Sequence, residues 1–234
     1  MREIVFDTET TGLDPSTGDR LVEIGCIELL NRFPTGNTFH RYLNPERDMP
    51  EPAFKVHGLS VEFLSDKPLF VHIVEELVEF LGDAPLVAHN AIFDLGFLNA
   101  ELKRAGKELV ARERLVDTLM MARRKHPGGS NKLDDLCVRY KVDNSKRTKH
   151  GALLDAELLA EIYIEMTGAR QASLGLASLS GGGERGRMAT ARQRPVPLAP
   201  RLTTEEVESH RAFVAKLGET AIWNKYLADG KPAG

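Results

Sequence analysis

Residues 3–12 of the chain read EIVFDTETTG, a short apolar run that ends in two acids and a turn. The run from Glu3 to Asp7 predicts a buried strand, because it is short, apolar and rich in β-formers. Side chains two residues apart lie on the same face of an extended chain, so Asp7 and Glu9 point the same way. Like charges this close repel, and a bound divalent cation would reverse the penalty. The stretch therefore predicts a strand whose end presents a pair of carboxylates suited to a metal ion.

The elements around this strand predict an α/β fold. Strands come first and then alternate with helices, which indicates a mixed sheet covered by helices. Pro50 and Pro52 predict an irregular stretch between the third strand and the first helix. Further strands are predicted over residues 21–30, 37–43, 85–88 and 115–116, and helices over residues 60–64, 70–81, 93–105, 118–124, 133–140, 153–166 and 203–217.

Composition excludes several classes of protein. The chain has 234 residues, of which 42% are hydrophobic and 28% charged, enough for a packed core. No apolar run approaches the ~20 residues of a membrane span, and an acid comes too early for a secretory signal. Cys26 and Cys137 lie far apart, which argues against a disulfide scaffold or a cysteine-based zinc site and predicts a reducing cytoplasm. A formal charge of −3 argues against binding nucleic acid by bulk positive charge alone.

The chain divides at a basic stretch that is rich in glycine and proline. Between residues 180 and 201 it has five arginines against one acid and hardly any large apolar residue. Such a segment buries too little surface to offset its ordering entropy, so residues 170–201 are predicted to be a flexible linker. The linker contains a literal GxGxxG at 181–186, but without a preceding strand a dinucleotide site is not expected. The predicted domains are therefore residues 1–169 and a C-terminal segment, residues 202–234.

Three further residues are candidates for the same site as Asp7 and Glu9. Asp94 follows a strand and opens a helix, where a carboxylate also simply favours the helix dipole. His150 and Asp155 are five residues apart, about 500° of helical rotation, so they would not share a helix face. We expect His150 in a loop, as a base or an ordinary surface histidine, and Asp155 on the helix that follows. The preceding residues 146–149 are expected to be exposed and mobile.

Together these residues indicate one chemistry. Four carboxylates and no soft ligand suit hard cations such as Mg²⁺ or Mn²⁺. Two such ions, about 3.5–4 Å apart, can hold the attacking and leaving oxygens of an in-line phosphoryl displacement. Histidine is the residue type that takes a proton at neutral pH, so His150 is the candidate base for the attacking water. The phosphate would then be held by metal ions rather than by lysines.

The motifs Asp7-x-Glu9, His89-Asn90-x-x-Phe93-Asp94 and His150-x-x-x-x-Asp155, in this order, resemble those of the DEDDh 3′→5′ exonucleases. The resemblance implies a ribonuclease H-like fold, with a five-stranded mixed sheet flanked by helices. It also implies that Asp7, Glu9 and Asp155 hold one metal ion, that Asp7 and Asp94 hold the other, and that His150 is the general base. Phe93 would support the site or belong to the core. The implied DNA-binding residues are Asp7, Thr8, Glu9, Thr10, Leu13, His57, Asn90, His150 and Asp155, with Leu13 wedged against the terminal base.

Within this family the chain is most similar to the proofreading exonucleases of bacterial replicative polymerases, which act on frayed or single-stranded 3′ ends of DNA. The hexapeptide at 171–176 is similar to the motif that binds the sliding clamp, with Gln171, Ser173, Leu174 and Leu176 as its anchors. The segment after residue 200 is similar to the one that joins the polymerase subunit, through Phe213, Ile222, Trp223 and Tyr226, although it could instead pack on its own domain. A small third core subunit is a further partner that the resemblance leaves open.

Two alternatives to a proofreading exonuclease remain. The same site would also serve a DEDDh exoribonuclease, although the long tail with two docking-like segments argues against one. A non-catalytic subunit that bridges clamp and polymerase would predict damaged site residues, yet all five catalytic positions are intact.

Overall fold

A computed structural model describes residues 1–169, 202–218 and 222–223 of the chain. The chain divides into two compact units, Met1–Leu174 and Gly175–Gly234. The first contains the sheet and every element of the candidate site. The predicted linker, the clamp-like motif at 171–176 and Tyr226 lie outside the described residues.

The sheet of the first unit has five strands in the order β3-β2-β1-β4-β5. Strand β1 is central; it pairs antiparallel with β2 and parallel with β4. Strands β2 and β3 are antiparallel, whereas β4 and β5 are parallel, so the sheet is mixed as predicted. The strand bounds are Arg2–Thr10 (β1), Leu21–Leu30 (β2), Phe33–Tyr42 (β3), Leu86–Ala88 (β4) and Leu115–Asp117 (β5).

Alternate residues of β1 serve two different helical layers. Ile4 and Phe6 belong to a core cluster with helices of one face, and Val5 belongs to a cluster with the long helix of the other face. Because side chains alternate along a strand, Asp7 continues the row of Val5 and Thr8 continues the row of Phe6. The helices are Glu51–His57 (α1), Val61–Leu64 (α2), Phe70–Leu81 (α3), Ala91–Arg104 (α4), Thr118–Lys125 (α5), Leu133–Tyr140 (α6), Ala152–Met166 (α7) and, in the second unit, Thr204–Lys216 (α8).

Gly25 allows α7 to lie directly against the sheet. It pairs with Asp7 across β1 and β2. A Cβ atom at Gly25 would lie 2.3 Å from the backbone nitrogen of Leu153, in the first turn of α7. Any other residue would therefore push the start of α7 away from the strand that carries Asp7. This role of Gly25 was not predicted from the sequence.

One predicted element is wrong. The stretch around Pro50 and Pro52 is helical, since α1 covers Glu51–His57. Both prolines stand at the start of this helix, where a missing N–H breaks no intrahelical hydrogen bond and the fixed φ is already helical. Proline interrupts a helix only in its interior, so its presence here marks a beginning.

The remaining predicted helices and strands are present, with small shifts at their ends. Strand β1 is longer than predicted and includes Thr8, Glu9 and Thr10, with a register shift after Glu9. In the second unit α8 begins with a capping box between Thr203 and Glu206. Among the described helices, none is long and apolar enough to cross a membrane.

Candidate active site

The predicted site residues converge where β1 and β4 end. Asp7 and Glu9 lie in the last part of β1, on the face that α7 covers. Asp94 lies in the first turn of α4, which follows β4, and Asp155 lies in the first turn of α7. The two helices approach this edge of the sheet from opposite faces. Four carboxylates from three distant segments of the chain are thereby brought together.

Thr8 links the two sides of this cluster. Its hydroxyl donates a hydrogen bond to Asp94 Oδ1 over 2.7 Å, and both residues are buried. Thr8 stands between Asp7 and Glu9 but points to the opposite face, towards α4. The contact therefore fixes the Asp94 carboxylate against the strand that carries the other two acids.

Burial and mutual repulsion make three of the four carboxylates hard to ionise. Burial, together with Asp94, Glu9 and Asp155, raises the pKa of Asp7 well above its ordinary range. Burial, then the charges of Asp155 and Glu23, raise the pKa of Glu9 to about 8. Burial raises the pKa of Asp94 to about 7, although hydrogen bonds from Thr8 oppose it. Strongly perturbed acids grouped in a cleft are typical of a functional site.

Asp155 is the exception, because it has cationic neighbours. Burial raises its pKa, but hydrogen bonds from His150 and Arg147 outweigh burial and hold it below the ordinary value. Arg147 Nε lies 2.6 Å from Oδ1 and Arg147 Nη2 lies 2.6 Å from Oδ2, a bidentate pair. Asp155 is therefore the carboxylate of the four that is already ionised and oriented.

His150 lies in the loop before α7, as predicted. Its side chain is 48% exposed, and its Nδ1 lies 3.2 Å from Asp155 Oδ2. The backbone N–H of His150 donates to the carbonyl of Val56 over 3.3 Å, which ties this loop to α1. The histidine therefore faces both the carboxylate cluster and solvent, the position that a base for an attacking water needs.

The prediction that residues 146–149 are exposed is wrong for Arg147. Its side chain is 7% exposed and lies between Asp155 and Asp134, with Nη1 2.7 Å from Asp134 Oδ1. The run of cations looks like solvated loop in the sequence. Asp134 in α6 and Asp155 in α7 bind Arg147 and keep it from solvent. Because these acids reach Arg147 only in the folded chain, nothing in the local sequence predicts its burial.

A cavity of about 540 Å³ opens on the strand side of the cluster. Leu13 stands at its rim with 84% of its surface exposed. His57 lines it and is buried; the Leu59 N–H donates to His57 Nδ1, so Nε2 carries the ring proton. Nε2 has no hydrogen-bond partner among the residues that the structure describes. A buried N–H group without a partner can donate a hydrogen bond to a bound ligand.

Phe93 belongs to the core and also lines a cavity beside the cluster. It packs against the core cluster of α3 and α4, with its ring centroid 5.1 Å from that of Phe97, and it also lines the 540 Å³ cavity. Thr10 lines the same cavity, and its hydroxyl donates to the carbonyl of Gly12 over 2.6 Å. These contacts place both residues beside the cluster.

A second cavity, of about 950 Å³, adjoins the first on the α5–α6 side. Asp7, His89 and His150 line both cavities, so the carboxylate cluster lies between them. Asn90 lines the second cavity from the start of α4, where it adopts a left-handed conformation with φ 69°. Three cationic side chains also line this cavity, namely Arg123, Lys132 and Arg147.

His89 connects three elements, a role that was not predicted from the sequence. Its Nδ1 lies 3.0 Å from the Thr118 hydroxyl and its Nε2 lies 2.9 Å from the carbonyl of Asn131. The ring thus joins the end of β4 to the start of α5 and to the loop before α6, and it shapes the wall between the cavities. Its position directly after a predicted strand, within the Asp94 motif, was the available signal.

The donor set fits a hard divalent cation. Glu9, His150 and Asp155 each offer one ligand atom, and these atoms lie within 4.8 Å of one another. Carboxylate oxygens are the preferred ligands of Mg²⁺ and Mn²⁺. The raised pKa values of Asp7, Glu9 and Asp94 also indicate that the cluster has too little positive charge nearby to balance these carboxylates.

Comparison with known proteins identifies the class. The RNase_T family model, described as an exonuclease, matches residues 4–163. Solved structures with the same fold include exonuclease X in complex with 5′-overhanging duplex DNA, with TM-score 0.54 and 24% identity over 71% of this chain and 91% of that one. Exonuclease I is similar with TM-score 0.61 and 16% identity, over 73% of this chain and 41% of that one.

Curated relatives narrow the class. The chain is 49% identical over 230 residues to DNA polymerase III subunit epsilon of Rickettsia felis, covering 94% of this chain and 99% of the relative. It is 42% identical over 237 residues to the same subunit of Escherichia coli K12, covering 95% and 97%. The chain therefore belongs to the RNase_T exonuclease family and, within it, to the DNA polymerase III epsilon subunits.

Proposed function

We propose that this protein is the proofreading 3′→5′ exonuclease of DNA polymerase III, which hydrolyses the 3′-terminal phosphodiester of DNA and releases nucleoside monophosphates. The observation that carries the proposal is the convergence of Asp7, Glu9, Asp94 and Asp155, with His150, at one edge of the sheet. The relatives named as epsilon subunits match nearly the whole chain. The residue types that metal-dependent hydrolysis needs thus lie together in a chain of the epsilon type, which supports the proposal.

The four carboxylates would hold two Mg²⁺ or Mn²⁺ ions. Asp7, Glu9 and Asp155 would bind one ion, and Asp7 with Asp94 would bind the other. Such ions supply charge neutralisation for the attacking and leaving oxygens of phosphoryl transfer. Burial of the carboxylates then serves the reaction, because water is kept away from the charges that must bind the ions.

The chain's own residues move the proton and hold the substrate. His150 accepts the proton of the attacking water, for which its exposure to solvent and its place beside Asp155 suit it. Thr8 keeps Asp94 in place through its hydroxyl. His57 Nε2 offers a hydrogen-bond donor to the terminal nucleotide in the 540 Å³ cavity, where the exposed Leu13 wedges against its base. Asn90 lines the 950 Å³ cavity. The rest of the bound DNA strand would extend along this cavity.

The C-terminal segment is proposed to bind the alpha subunit of DNA polymerase III. Helix α8 and the residues after it expose large apolar side chains: Phe213 is 60%, Ile222 64% and Trp223 50% exposed. Exposed aromatic anchors of this kind are typical of binding surfaces. Deletion of residues 203–234 should release a purified alpha subunit in gel filtration, and unchanged co-elution would contradict this part of the proposal.

The clamp-like motif and the cellular location are also proposals. Replacing Gln171 and Leu174 by Ala should abolish binding to the beta sliding clamp while leaving hydrolysis of free primers unchanged. A small third core subunit would need a further surface, which pull-down with the purified subunit would test. A cytoplasmic location is supported by Cys26 and Cys137, which are free, buried thiols suited to a reducing compartment.

Digestion of matched substrates tests the proposed activity. A labelled single-stranded DNA and an RNA of identical sequence are incubated with Mg²⁺ or with EDTA, beside a primer with one mispaired 3′ nucleotide and its fully paired control. We expect stepwise loss of 3′ nucleotides from DNA, faster from the mispaired primer because a frayed end costs less to unpair. A clear preference for RNA would instead support the exoribonuclease alternative, and full activity in EDTA would contradict the proposed metal chemistry.

A further inference from the structure

Arg147 contacts the side-chain atoms of Asp155 and His150 that the proposed metal chemistry needs. Its Nε and Nη2 each lie 2.6 Å from one oxygen of Asp155, so both carboxylate oxygens accept from the guanidinium. Nη2 also lies 2.8 Å from His150 Nδ1. The same ring nitrogen lies 3.2 Å from Asp155 Oδ2, so Arg147, Asp155 and His150 are in mutual contact. One side chain thus engages both the proposed ligand and the proposed base.

A divalent ion on Asp155 would meet Arg147 in the same place. Carboxylates bind such ions through the oxygens that Arg147 now engages, and two cations on one carboxylate repel each other strongly in a site of low dielectric. We propose that Arg147 is a place-holding cation, which binds and orients Asp155 until a divalent ion displaces it. The inference rests on the proposed two-metal function and assigns a role to Arg147 that hydrolysis itself does not require.

The surroundings of Arg147 give the displaced side chain somewhere to go. Asp134, which binds Nη1 over 2.7 Å, is 58% exposed and lies in α6 at the edge of the 950 Å³ cavity. Arg147 itself lies in the loop between α6 and α7 and lines the same cavity. Rotation of its long side chain towards Asp134 frees the Asp155 oxygens and the His150 nitrogen without moving the helices. The guanidinium keeps a partner in both positions.

The charge of the cluster favours such an exchange. Asp7, Glu9, Asp94 and Asp155 are four carboxylates, and Arg147 pairs directly with only the last of them. Among the described residues, the other three have no ion pair with a lysine or arginine within 4 Å. A divalent ion can contact several of these groups at once, whereas Arg147 contacts only Asp155 among them and acts on Asp7 and Glu9 from a distance, so the ion replaces the guanidinium once it is available.

Titration of Mn²⁺ alone into the full-length, EDTA-stripped protein tests the exchange. Isothermal calorimetry is run at one pH on the wild type, Arg147→Ala and Arg147→Lys. We expect the first Mn²⁺ to bind at least about 10-fold more tightly to Arg147→Ala, since the ion no longer has to break a bidentate charged pair. Arg147→Lys keeps the charge but loses the fork, so its affinity should lie between the two and also covers the case in which the alanine variant folds poorly.

Arg123→Ala is the matched control, because it removes the same charge from the same cavity. This variant measures the general effect of one positive charge on Mn²⁺ affinity. Because Arg123 is exposed and its charge is screened by solvent, we expect the Mn²⁺ affinity to change by less than about 2-fold. Thermal unfolding gives a second readout. Without metal, Arg147→Ala should melt below the wild type, because Asp155 is left buried without its cation. In saturating Mn²⁺ this difference should disappear.

The outcomes separate this inference from the function on which it rests. Equal or weaker Mn²⁺ binding by Arg147→Ala, with normal binding by the wild type, overturns the place-holder role alone. An effect of Arg123→Ala as large as that of Arg147→Ala also overturns it, since charge rather than competition would then be the cause. A wild type that binds no Mn²⁺ overturns both, whereas one that binds Mn²⁺ but leaves DNA intact contradicts only the proposed function.

Discussion

At the start of β1 the buried carboxylate of Glu3 has a partner on each oxygen, whereas the carboxylates of Asp7 and Glu9 at the end of the same strand have no hydrogen-bond or ion-pair partner within the described part of the chain. Glu3 Oε1 accepts from the Tyr163 hydroxyl over 2.7 Å, and Oε2 pairs with Arg32 Nε over 3.2 Å. Among the described residues, no arginine or lysine forms an ion pair with Asp7 or Glu9, and the pKa of each is raised. One strand thus holds one acid that stabilises the fold and two that the fold leaves uncompensated.

The presence or absence of charged and hydrogen-bonding partners distinguishes a structural acid from a proposed functional one. A buried carboxylate that serves the fold is supplied with its cation and its hydrogen bonds, because an unpaired buried charge is costly. Glu101 follows the same rule, since it is 2% exposed and pairs with Arg20 and Arg104. Asp7 and Glu9 have no such partner among the residues that the structure describes, which is the arrangement expected of proposed metal ligands.

The largest expected effect is on activity. Replacing Asp7 and Glu9 together by Ala should lower the exonuclease rate at least about 1,000-fold, equivalent to about 4 kcal/mol at 1.36 kcal/mol per factor of ten. The reason is that both residues are proposed ligands of the same ion. Initial rates on single-stranded DNA in Mg²⁺ measure the effect, and circular dichroism controls for folding. A variant that retains a tenth of the rate would contradict the metal role.

The next effect concerns the packing that brings Asp155 to the acidic end of β1. Gly25→Ala should destabilise the first unit by at least about 3 kcal/mol, because the new Cβ would lie 2.3 Å from the backbone of α7. Gly96→Ala, inside α4 with no atom within 4 Å of the new Cβ, should be neutral or stabilise by up to about 1 kcal/mol. Urea unfolding of both variants measures this contrast. Equal stability of the two would mean that α7 is not held by this contact.

Stability without metal gives a direct comparison of the two ends. Glu3→Gln should destabilise by about 2 kcal/mol, since it weakens the contacts to Arg32 and Tyr163. Glu9→Gln should cause no loss in EDTA, because the neutral amide replaces a carboxyl whose ionisation is opposed by burial and by its acidic neighbours. Thermal unfolding of both variants beside the wild type provides the measurement. A loss at Glu9 as large as that at Glu3 would abolish the distinction.

The smallest effect, when taken per pH unit, is the pH dependence. The folded pKa values of Asp94 and Glu9 are raised to about 7 and about 8, so the folded protein binds more protons than the unfolded chain above their ordinary values of 3.8 and 4.5. Stability in EDTA should therefore fall as pH rises from 5 to 8, by about 1 kcal/mol per pH unit. Saturating Mg²⁺ should flatten this slope, because bound ions favour the ionised carboxylates. A rise in stability over this range in EDTA would contradict the pKa directions.

Local patterns in the sequence predict most of this fold and part of the site. The spacing of Asp7 and Glu9 fixes their common face because a strand repeats every two residues, and the strand-to-helix change before Asp94 places it in a first turn. The burial of Arg147 was not predictable, since Asp134 and Asp155 reach it only in the folded chain. Gly25 looked like an ordinary strand residue for the same reason. Pro50 and Pro52 misled because proline has opposite effects at the start and in the interior of a helix.

The most direct test of the central claim is the melting temperature as a function of Mg²⁺ concentration, for the wild type and for Asp7→Asn with Glu9→Gln. We expect the melting temperature of the wild type to rise steadily with Mg²⁺ concentration, because ions that bind only the folded state shift unfolding by mass action. The double variant should melt no lower than the wild type in EDTA and should respond little to Mg²⁺. An equal Mg²⁺ response in both proteins would show that the acidic end of β1 is not the metal site.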